Sequence, residues 1–351
     1  MIIETHTTDS NPRVVIPLGD PAGIGAEVTL KALGSCELPK NLNPLLIGCR
    51  RNLDLVYKNL KLRNQDSIAN PKNLEIIDIP IKEKFEIGKP TAITGEASFH
   101  WLTKATEVVL KGEAKALVTA PIAKNAWHQA GHFYAGQTER LGELSGSSNP
   151  SMLFTAISPK SGSRLITLLA TTHIPLSEVT TNLTGEKIIS KLDSLLEFCQ
   201  NFKDNPKLAI AGLNPHAGED GQLGIEESNW IIPVINKWRS NHPETVLEGP
   251  MPPDTCWIST AEAWHGRHNK NCPDGILALY HDQGLIPVKL IAFDSAVNTT
   301  LGLSFIRTSP DHGTAFDIAG KGIARPNSML AAIKTACELS EKLISRRFNS
   351  H

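Results

Sequence analysis

The sequence predicts an α/β protein in which helices cover a mostly parallel sheet. Short apolar runs alternate along the chain with longer stretches of helical periodicity, which is the pattern of consecutive βαβ units. The 351 residues are enough for two hydrophobic cores, or for one α/β core with a large insertion. No internal repeat, heptad pattern or low-complexity linker interrupts this alternation. We therefore expect any domain division to fall within a compact body.

The individual elements are predicted from these two patterns. Short aliphatic runs without alternation are typical of buried parallel strands, and they occur at residues 13–18, 115–119, 164–170, 207–213 and 275–279. Helical periodicity marks residues 26–33, 94–111, 184–202, 226–238 and 328–345. The polar stretch 264–272 contains His265, His268 and Cys272, and we interpret it as a solvated surface loop rather than a metal site.

Composition and charge exclude several classes of function. The net charge of -1 provides no basic field for nucleic acid or for an anionic membrane, so neither partner is expected. The six cysteines are scattered without paired spacing, which fits free thiols in a reducing cytoplasm. The first residues resemble no signal peptide, and no apolar run has the length of a membrane span. We expect a cytoplasmic protein.

Three histidines each follow one of the predicted strands and form a candidate metal site. They are His173, His216 and His281. In an open α/β sheet, ligands bind outside the carboxyl ends of the strands, so the three imidazoles could converge on one metal ion. No HExxH or CxxC motif supports this locally. Spacing alone leaves two interpretations open, a metal site or three hydrogen-bonded loop residues.

Two glycine-rich segments also follow predicted strands. Residues 19–25 lack the GxGxxG spacing, and a tight structural turn is the favoured interpretation. Residues 311–322 are small enough for a flat base to lie against the backbone, with His312 at the face of an adenine and Asp317 at a ribose hydroxyl. The alternative is an ordinary loop in which His312 makes a local hydrogen bond.

The motifs and their order resemble the 4-hydroxythreonine-4-phosphate dehydrogenase family of vitamin B6 biosynthesis, also called PdxA. The resemblance covers nearly the whole chain and rests on residues 19–27, 119–124, 136–139, 171–173, 212–219, 249–255, 280–284, 297–307 and 311–315. The first and last of these segments also resemble those of isocitrate and isopropylmalate dehydrogenases. In that wider group the segment that corresponds to 311–322 binds adenosine.

The resemblance implies an isocitrate/isopropylmalate-dehydrogenase-like α/β fold, with two α/β domains and a cleft between them. Residues 1–125 and 288–351 would form the first domain, with the NAD-binding loop. Residues 126–287 would form the second domain, with the metal site and the dimer interface. NAD, or NADP, would be bound through His312, Gly313 and Asp317.

The resemblance also implies roles for individual residues. His173, His216 and His281 match the family's ligands for one divalent metal ion, Zn, Co or Mg. Because the third ligand comes from the partner subunit in that family, a homodimer with the active site at the subunit interface is implied. Family positions for binding a small phosphorylated substrate are occupied by Gln137, Thr138, Lys289, Asn298 and Arg307, and those for proton transfer by Asp254 and Lys289.

One position departs from the family pattern. The family usually has His before the Thr of its Gly-His-Thr-Glu motif, whereas this chain has Gln137. An amide donates and accepts hydrogen bonds but carries no charge, so the pH behaviour of this substrate contact is expected to differ.

Several of these residues also have simpler interpretations. Thr138 could be a helix N-cap followed by Glu139, and Asn298 a turn residue. Asp282 either orients an imidazole or begins a helix.

The implied reaction is an oxidation followed by a decarboxylation. NAD oxidises the C3 alcohol of 4-phosphooxy-L-threonine to 2-amino-3-oxo-4-phosphooxybutanoate, which loses CO2 to give 3-amino-2-oxopropyl phosphate. A metal ion on three imidazoles would stabilise the developing alkoxide, and Lys289 and Arg307 are candidate clamps for anionic groups. The alternatives are the same chemistry on a related acid such as a 4-phosphothreonate, a metal-dependent hydrolase, and a binding protein without activity.

Overall fold

The computed structural model describes residues 12–65, 67–147, 150–267 and 272–349, with side chains up to residue 342. The chain divides into two compact units. Unit 1 comprises residues 1–148 and 303–351, and unit 2 comprises residues 149–302. Each unit contains β-strands and helices, so the predicted α/β class is confirmed.

The strands are numbered in chain order. They are β1 (Arg13–Pro17), β2 (Asn43–Gly48), β3 (Glu75–Asp78), β4 (Ala116–Val118), β5 (Ser151–Ile157), β6 (Arg164–Leu169), β7 (Leu208–Ala211), β8 (Leu247–Met251), β9 (Gly275–Ala278), β10 (Val297–Leu301) and β11 (Ile306–Pro310).

The α-helices are numbered in the same way. They are α1 (Gly25–Leu33), α2 (Arg50–Leu62), α3 (Ala92–Leu110), α4 (Lys124–Gln129), α5 (Gln137–Ser145), α6 (Val179–Asn182), α7 (Gly185–Cys199), α8 (Ile232–Asn241), α9 (Ile258–Trp264), α10 (His281–Ala292) and α11 (Asn327–Asn349). Short 3₁₀ turns cover Pro71–Asn73, Leu176–Glu178 and Pro215–Gly221, and a π-helical turn, Glu227–Ile231, leads into α8. Each predicted strand and helix is present, within a few residues at either end.

The two units differ in the relative direction of their strands. In unit 1 the order is β3-β2-β1-β4-β11, and all neighbours are parallel. In unit 2 the order is β10-β5-β6-β9-β7-β8, with antiparallel pairs on both sides of β5 and parallel pairs elsewhere. The parallel strands β6, β9 and β7 therefore end at one edge of their sheet.

The unit boundaries lie later in the chain than the sequence predicted. Helices α4 and α5 pack against α3, which keeps them in unit 1. Helix α10 packs on β6 and β9, and β10 pairs with β5, which keeps both in unit 2. The predicted boundaries after residues 125 and 287 would each cut through a helix, α4 and α10 respectively.

The turn at residues 19–25 is a structural turn, as expected. Gly19 has a φ of +72°, and a Cβ at Gly25 would clash with the Leu18 carbonyl oxygen. A Cβ at Gly23 would lie 2.9 Å from the carbonyl oxygen of Thr314, which accepts a hydrogen bond from the Ile24 N–H. The turn at residues 19–25 therefore packs against the second glycine-rich segment, residues 311–322, at Thr314.

A buried ion pair between Lys31 and Glu27 binds the backbone at the C-terminal end of the second glycine-rich segment, residues 311–322. Lys31 Nζ lies 2.9 Å from Glu27 Oε1 in α1, and both side chains are less than a tenth exposed. Lys31 also donates to the carbonyls of Gly322 and Ala324, at 2.9 and 2.8 Å, while Glu27 accepts from the Ala324 N–H. The segment is therefore held at both ends against α1 and the turn before it.

The six cysteines are free thiols, as the spacing predicted. Over the described parts of the chain, no helix combines the length and the hydropathy that a membrane span requires.

We predict that Lys31→Met lowers the free energy of unfolding by about 3–5 kcal/mol, because it leaves the Glu27 carboxylate buried without its counter-ion. Lys104→Met is the control, since Lys104 pairs with Glu107 on an exposed helix face and its loss costs less than about 1 kcal/mol. Urea unfolding at neutral pH measures both. Equal, small losses in the two variants would contradict the structural role of the buried pair.

Candidate active site

The carboxyl ends of three neighbouring strands in unit 2 are connected through the backbone N–H and carbonyl of one residue, Leu279. Its carbonyl accepts from the backbone and the hydroxyl of Thr171, which follows β6, with the hydroxyl at 2.7 Å. Its N–H donates to Gln283 Oε1 at 2.7 Å, and Gln283 Nε2 donates to the Gly212 carbonyl, which follows β7. The ends of β6, β9 and β7 are therefore locked in one arrangement.

Two of the predicted metal ligands lie together at this edge. The ring centroids of His173 and His281 are 5.4 Å apart. His281 is the first residue of α10, and its Nδ1 lies 2.7 Å from Asp282 Oδ1. Both proposals for Asp282 thus hold, because it stands in the first turn of α10 and orients the imidazole. With Nδ1 so engaged, Nε2 is the nitrogen left for a metal ion.

The third predicted ligand, His216, does not join them within one chain. It begins a run of left-handed residues, His216 to Asp220, with φ values of 50, 54, 84, 43 and 52°. Its Nδ1 lies 3.4 Å from Glu219 Oε2, and its side chain is 61% exposed. No group of three metal-binding side chains forms among the residues that the structure describes.

The buried carboxylate of Glu227 binds the backbone of the loop just before His216. Glu227 is 2% exposed, and its Oε1 accepts from the backbone N–H groups of Leu213 and Asn214 at 2.7 and 2.8 Å. Four of the five left-handed residues are not glycine, which is a costly conformation for L-residues. Such strain persists only where the surroundings impose it, and it is common at binding sites.

The remaining predicted residues of unit 2 occupy three different settings. Lys289 lies in the last turn of α10, with Nζ 5.9 Å from the ring centroid of Phe293. Asn298 lies in β10, and its buried Oδ1 has no hydrogen-bond partner among the described residues. The turn interpretation of Asn298 is therefore wrong. Asp254 is exposed in the turn between β8 and α9.

In unit 1, the segment Thr119 to Pro121 after β4 organises a second set of predicted residues. Arg307 donates to Thr119 Oγ1 from Nε and Nη2, at 3.2 and 2.8 Å. Gln137 Nε2 donates to the Ala120 carbonyl at 3.0 Å, and its buried Oε1 has no partner in the described chain. Two residues from distant parts of the sequence thus meet at one strand end.

Arg307 is not a solvated surface cation. It is 4% exposed, and burial lowers its pKa to about 10, while the charge of Glu139 acts in the opposite direction. The guanidinium therefore stays charged at neutral pH. A buried cation of this kind is suited to hold an anionic group of a ligand.

Thr138 is not the N-cap of its helix. Helix α5 begins at Gln137 and its N-cap is Gly136, so Thr138 stands inside the first turn. Its hydroxyl and the free N–H groups of this turn lie at the positive end of the helix dipole, an arrangement that favours anions.

Sequence reasoning missed Asp20. This residue is 1% exposed, and its Oδ1 accepts from the Ala22 N–H at 2.9 Å. Its own N–H donates to the Pro121 carbonyl at 2.9 Å, next to the segment that positions Arg307 and Gln137. Burial raises the pKa of Asp20 from 3.8 to about 6. The Gly-Asp-Pro turn was visible in the sequence, but the burial of its carboxyl was not.

The three residues assigned to the cofactor have the properties that a nucleotide site needs. His312 Nδ1 lies 3.0 Å from the Gly313 carbonyl oxygen, which is the local bond expected, but its Nε2 is buried without a partner among the described residues. A Cβ at Gly313 would meet no atom within 4 Å, and Asp317 is exposed. The residues therefore fit an adenosine, with an orphaned ring nitrogen on one side and open space beside the backbone.

A cavity of about 500 Å³ in unit 1 adjoins the same segment through Gly23 and Gly320. None of His312, Gly313 and Asp317 lines it. The predicted cofactor residues therefore lie outside this cavity.

The polar stretch 264–272 is only partly described. Trp264 ends α9 and is buried, whereas His265 is exposed, as expected of a surface loop. His268 lies outside the described residues.

We predict that Asp20→Asn changes the pH dependence of stability. The native state holds the Asp20 proton more tightly than the unfolded chain, so the wild type loses stability as the pH rises from 3.8 through about 6. This loss amounts to about 3 kcal/mol and is absent in the neutral amide. Chemical unfolding at pH 4 and pH 7.5 should show the variant gaining on the wild type at the higher pH. A constant difference between the two proteins would refute the buried ionisation.

Comparisons with known proteins agree with this architecture. The family profile described as "Pyridoxal phosphate biosynthetic protein PdxA" matches residues 40–336. A 4-hydroxythreonine-4-phosphate dehydrogenase from Synechococcus sp. (strain RCC307) is 59% identical over 93% of this chain and 99% of its own length. The corresponding protein of Synechocystis sp. (strain ATCC 27184 / PCC 6803 / Kazusa) is 50% identical over 95% of this chain and 97% of its own length.

A solved structure extends the likeness to the fold. The 4-hydroxythreonine-4-phosphate dehydrogenase of Klebsiella pneumoniae superposes with a TM-score of 0.78 and 33% identity, over 94% of this chain and 98% of that one. Family profile, sequence relatives and fold agree, and the chain belongs to the PdxA family of pyridoxal phosphate biosynthetic proteins.

Proposed function

We propose that this chain oxidises the C3 alcohol of 4-phosphooxy-L-threonine with NAD and then decarboxylates the product to 3-amino-2-oxopropyl phosphate. The observation that carries the proposal is the pair His173 and His281 at the tied strand ends of unit 2, in a chain of this family. Its relatives bear the name of this dehydrogenase.

The proposed metal site consists of His173, His216 and His281. The imidazole rings of His173 and His281 are adjacent in one chain. The Asp282 carboxylate accepts a hydrogen bond from Nδ1 of His281. A second copy of the chain would supply the missing imidazole, which makes the active unit a homodimer. A bound divalent ion, Zn, Co or Mg, supplies a Lewis acid that lowers the pKa of the substrate hydroxyl.

The residues of the chain then bind the substrate and move its proton. The buried Arg307 cation and Lys289 hold the phosphate and carboxylate groups, while Thr138 adds a hydroxyl donor. The orphaned oxygens of Asn298 and Gln137 accept from the amino or hydroxyl group of the substrate. Neither of these two amide oxygens has a hydrogen-bond partner among the described residues, so a bound substrate would satisfy both.

The chemistry proceeds in two balanced steps. In the first step, a bound nicotinamide would accept the hydride of C3, and the hydroxyl proton would pass to the Asp254 carboxylate or, where Arg307 alone holds the anionic groups, to the neutral amine of Lys289. In the second step, the bond between C1 and C2 breaks, CO2 leaves, and C2 takes up a proton. His312, Gly313 and Asp317 would hold the cofactor, NAD or NADP, and the exposed Asp317 carboxylate would accept from a ribose hydroxyl. The six free thiols fit a cytoplasmic location.

An assay of NADH formation from 4-phosphooxy-L-threonine tests the function. We expect turnover with NAD, its loss when a chelator removes the metal ion, and its recovery when zinc or cobalt is restored. Phosphorylated threonate, tested beside it, should react more slowly. NADH formation that is indifferent to the chelator would refute the metal role, and preference for the threonate would assign a different substrate.

Mixed variants test how two chains share the metal site. His216→Ala and His281→Ala should each be inactive, but co-expression should restore one intact site per mixed dimer, which is about half of the wild-type activity for the mixed dimer and about a quarter for a randomly paired population. His173→Ala mixed with His281→Ala should stay inactive, because both imidazoles belong to the same chain. Metal content per dimer should follow the same pattern. Recovery in the second pair instead of the first would overturn the proposed sharing.

A further inference from the structure

Unit 2 contains a small polar cavity beside the backbone of His173. Its volume is about 180 Å³, and the residues that flank His173, Thr172 and Ile174, lie in its wall. Two lysines of α7, Lys187 and Lys191, also line it, and so does Ser151 at the start of β5. None of the described residues that line it is an aspartate or a glutamate.

Lys191 is an unusual cation for the interior of a protein. It is 5% exposed, and its Nζ donates to Ser151 Oγ at 2.5 Å. No other hydrogen bond and no ion pair of its ammonium group is found among the described residues. A buried ammonium normally has a carboxylate partner, because removing the charge from water costs several kcal/mol. Among the described residues, the hydroxyl oxygen of Ser151 is the one hydrogen-bond acceptor that offsets the burial of this ammonium group.

The neighbouring charge makes the cost larger. Lys187 stands one helical turn before Lys191 and lines the same cavity, with its Nζ donating to the Asn182 carbonyl. Burial lowers the pKa of Lys191, and the positive charge of Lys187 lowers it further. Two cations of the same sign at one cavity, with no acidic residue in its wall, create a positive potential that only an anion would neutralise.

We propose that this cavity is a binding site for a phosphoryl group, with the ammonium groups of Lys191 and Lys187 as its charged ligands. Hydroxyl groups of Ser151 and Thr172 and the amide of Asn182 complete a set of polar groups suited to a tetrahedral oxyanion. The volume admits a phosphate but excludes a nucleotide. The phosphoryl group comes either from free inorganic phosphate or from the phosphoester of a substrate. The site does not depend on the proposed reaction.

Thermal unfolding of the full-length protein with inorganic phosphate tests the site. In a phosphate-free buffer, sodium phosphate should raise the Tm of the wild type by about 5 °C at ~100 times its Kd, relative to sodium chloride of equal ionic strength. Lys191→Met should reduce this shift to the part that phosphate binding at the proposed Arg307 and Lys289 clamps contributes. Without phosphate, the same variant should unfold at the wild-type temperature or above it, because an apolar side chain of similar volume replaces an uncompensated charge.

Matched variants separate the site from general effects of charge. Lys160→Met removes an exposed lysine from the turn between β5 and β6 and should keep the full phosphate shift. Lys187→Met should reduce the shift, and Lys191→Arg, which retains the charge, should keep a part of it. A phosphate shift of equal size in the wild type and in Lys191→Met overturns the proposal. If Lys191→Met fails to fold, an undiminished shift in Lys187→Met overturns it instead.

A second arm identifies the source of the phosphoryl group. The Tm shift produced by 4-phosphooxy-L-threonine is measured without NAD in the wild type and in Lys191→Met, with inorganic phosphate as the reference. A reduction of the substrate shift together with the phosphate shift assigns the site to the phosphoester. A reduction of the phosphate shift alone assigns it to free phosphate. The failure of the proposed reaction would leave the inorganic phosphate result unchanged, so the two hypotheses fail separately.

Discussion

The backbone N–H and carbonyl of Leu279 fix the ends of β6, β9 and β7 in unit 2 to one another. The Leu279 carbonyl accepts a hydrogen bond from the hydroxyl of Thr171, which follows β6. The Leu279 N–H donates to the side-chain oxygen of Gln283, whose amide nitrogen donates to the carbonyl of Gly212 after β7. Each of these side chains is buried, so a broken bond would leave a polar group unsatisfied at a cost of about 1–3 kcal/mol. His173 and His281 follow Thr171 and Leu279 by two residues each. The positions of both imidazoles therefore depend on this junction.

In unit 1, a different set of contacts fixes the predicted site residues at the end of a strand. The segment after β4 receives Arg307 at Thr119, Gln137 at Ala120 and the backbone of Asp20 at Pro121. The glycine segment at 311–322 is docked at one end on Gly23 and at the other on the buried pair of α1. In both units, groups just after the strands hold the side chains that the sequence predicted as site residues.

Much of this arrangement was predictable because it depends on local pattern. Buried parallel strands are short apolar runs, and residues just after them lie at a ligand-binding edge, which is why His173 and His281 could be placed together. The left-handed run at His216 was not predictable, because four of its five residues are not glycine and such residues rarely adopt a positive φ. The pKa of Asp20 and the charge at Lys191 likewise depend on burial by distant segments. The N-cap of α5 shifted from Thr138 to Gly136, since a Gly-Gln-Thr sequence offers more than one starting point.

We infer that the backbone of Leu279 positions the proposed metal ligands, and the affinity for zinc measures this most directly. We would titrate zinc into wild type, Gln283→Met and the control Gln200→Met, which changes a partly exposed amide at the end of α7. The account predicts that the Kd for zinc rises about tenfold or more in Gln283→Met, as it does when other supporting contacts of metal ligands are lost, and is unchanged in the control. A Gln283→Met protein that is less stable but binds zinc as tightly as the wild type would contradict the account.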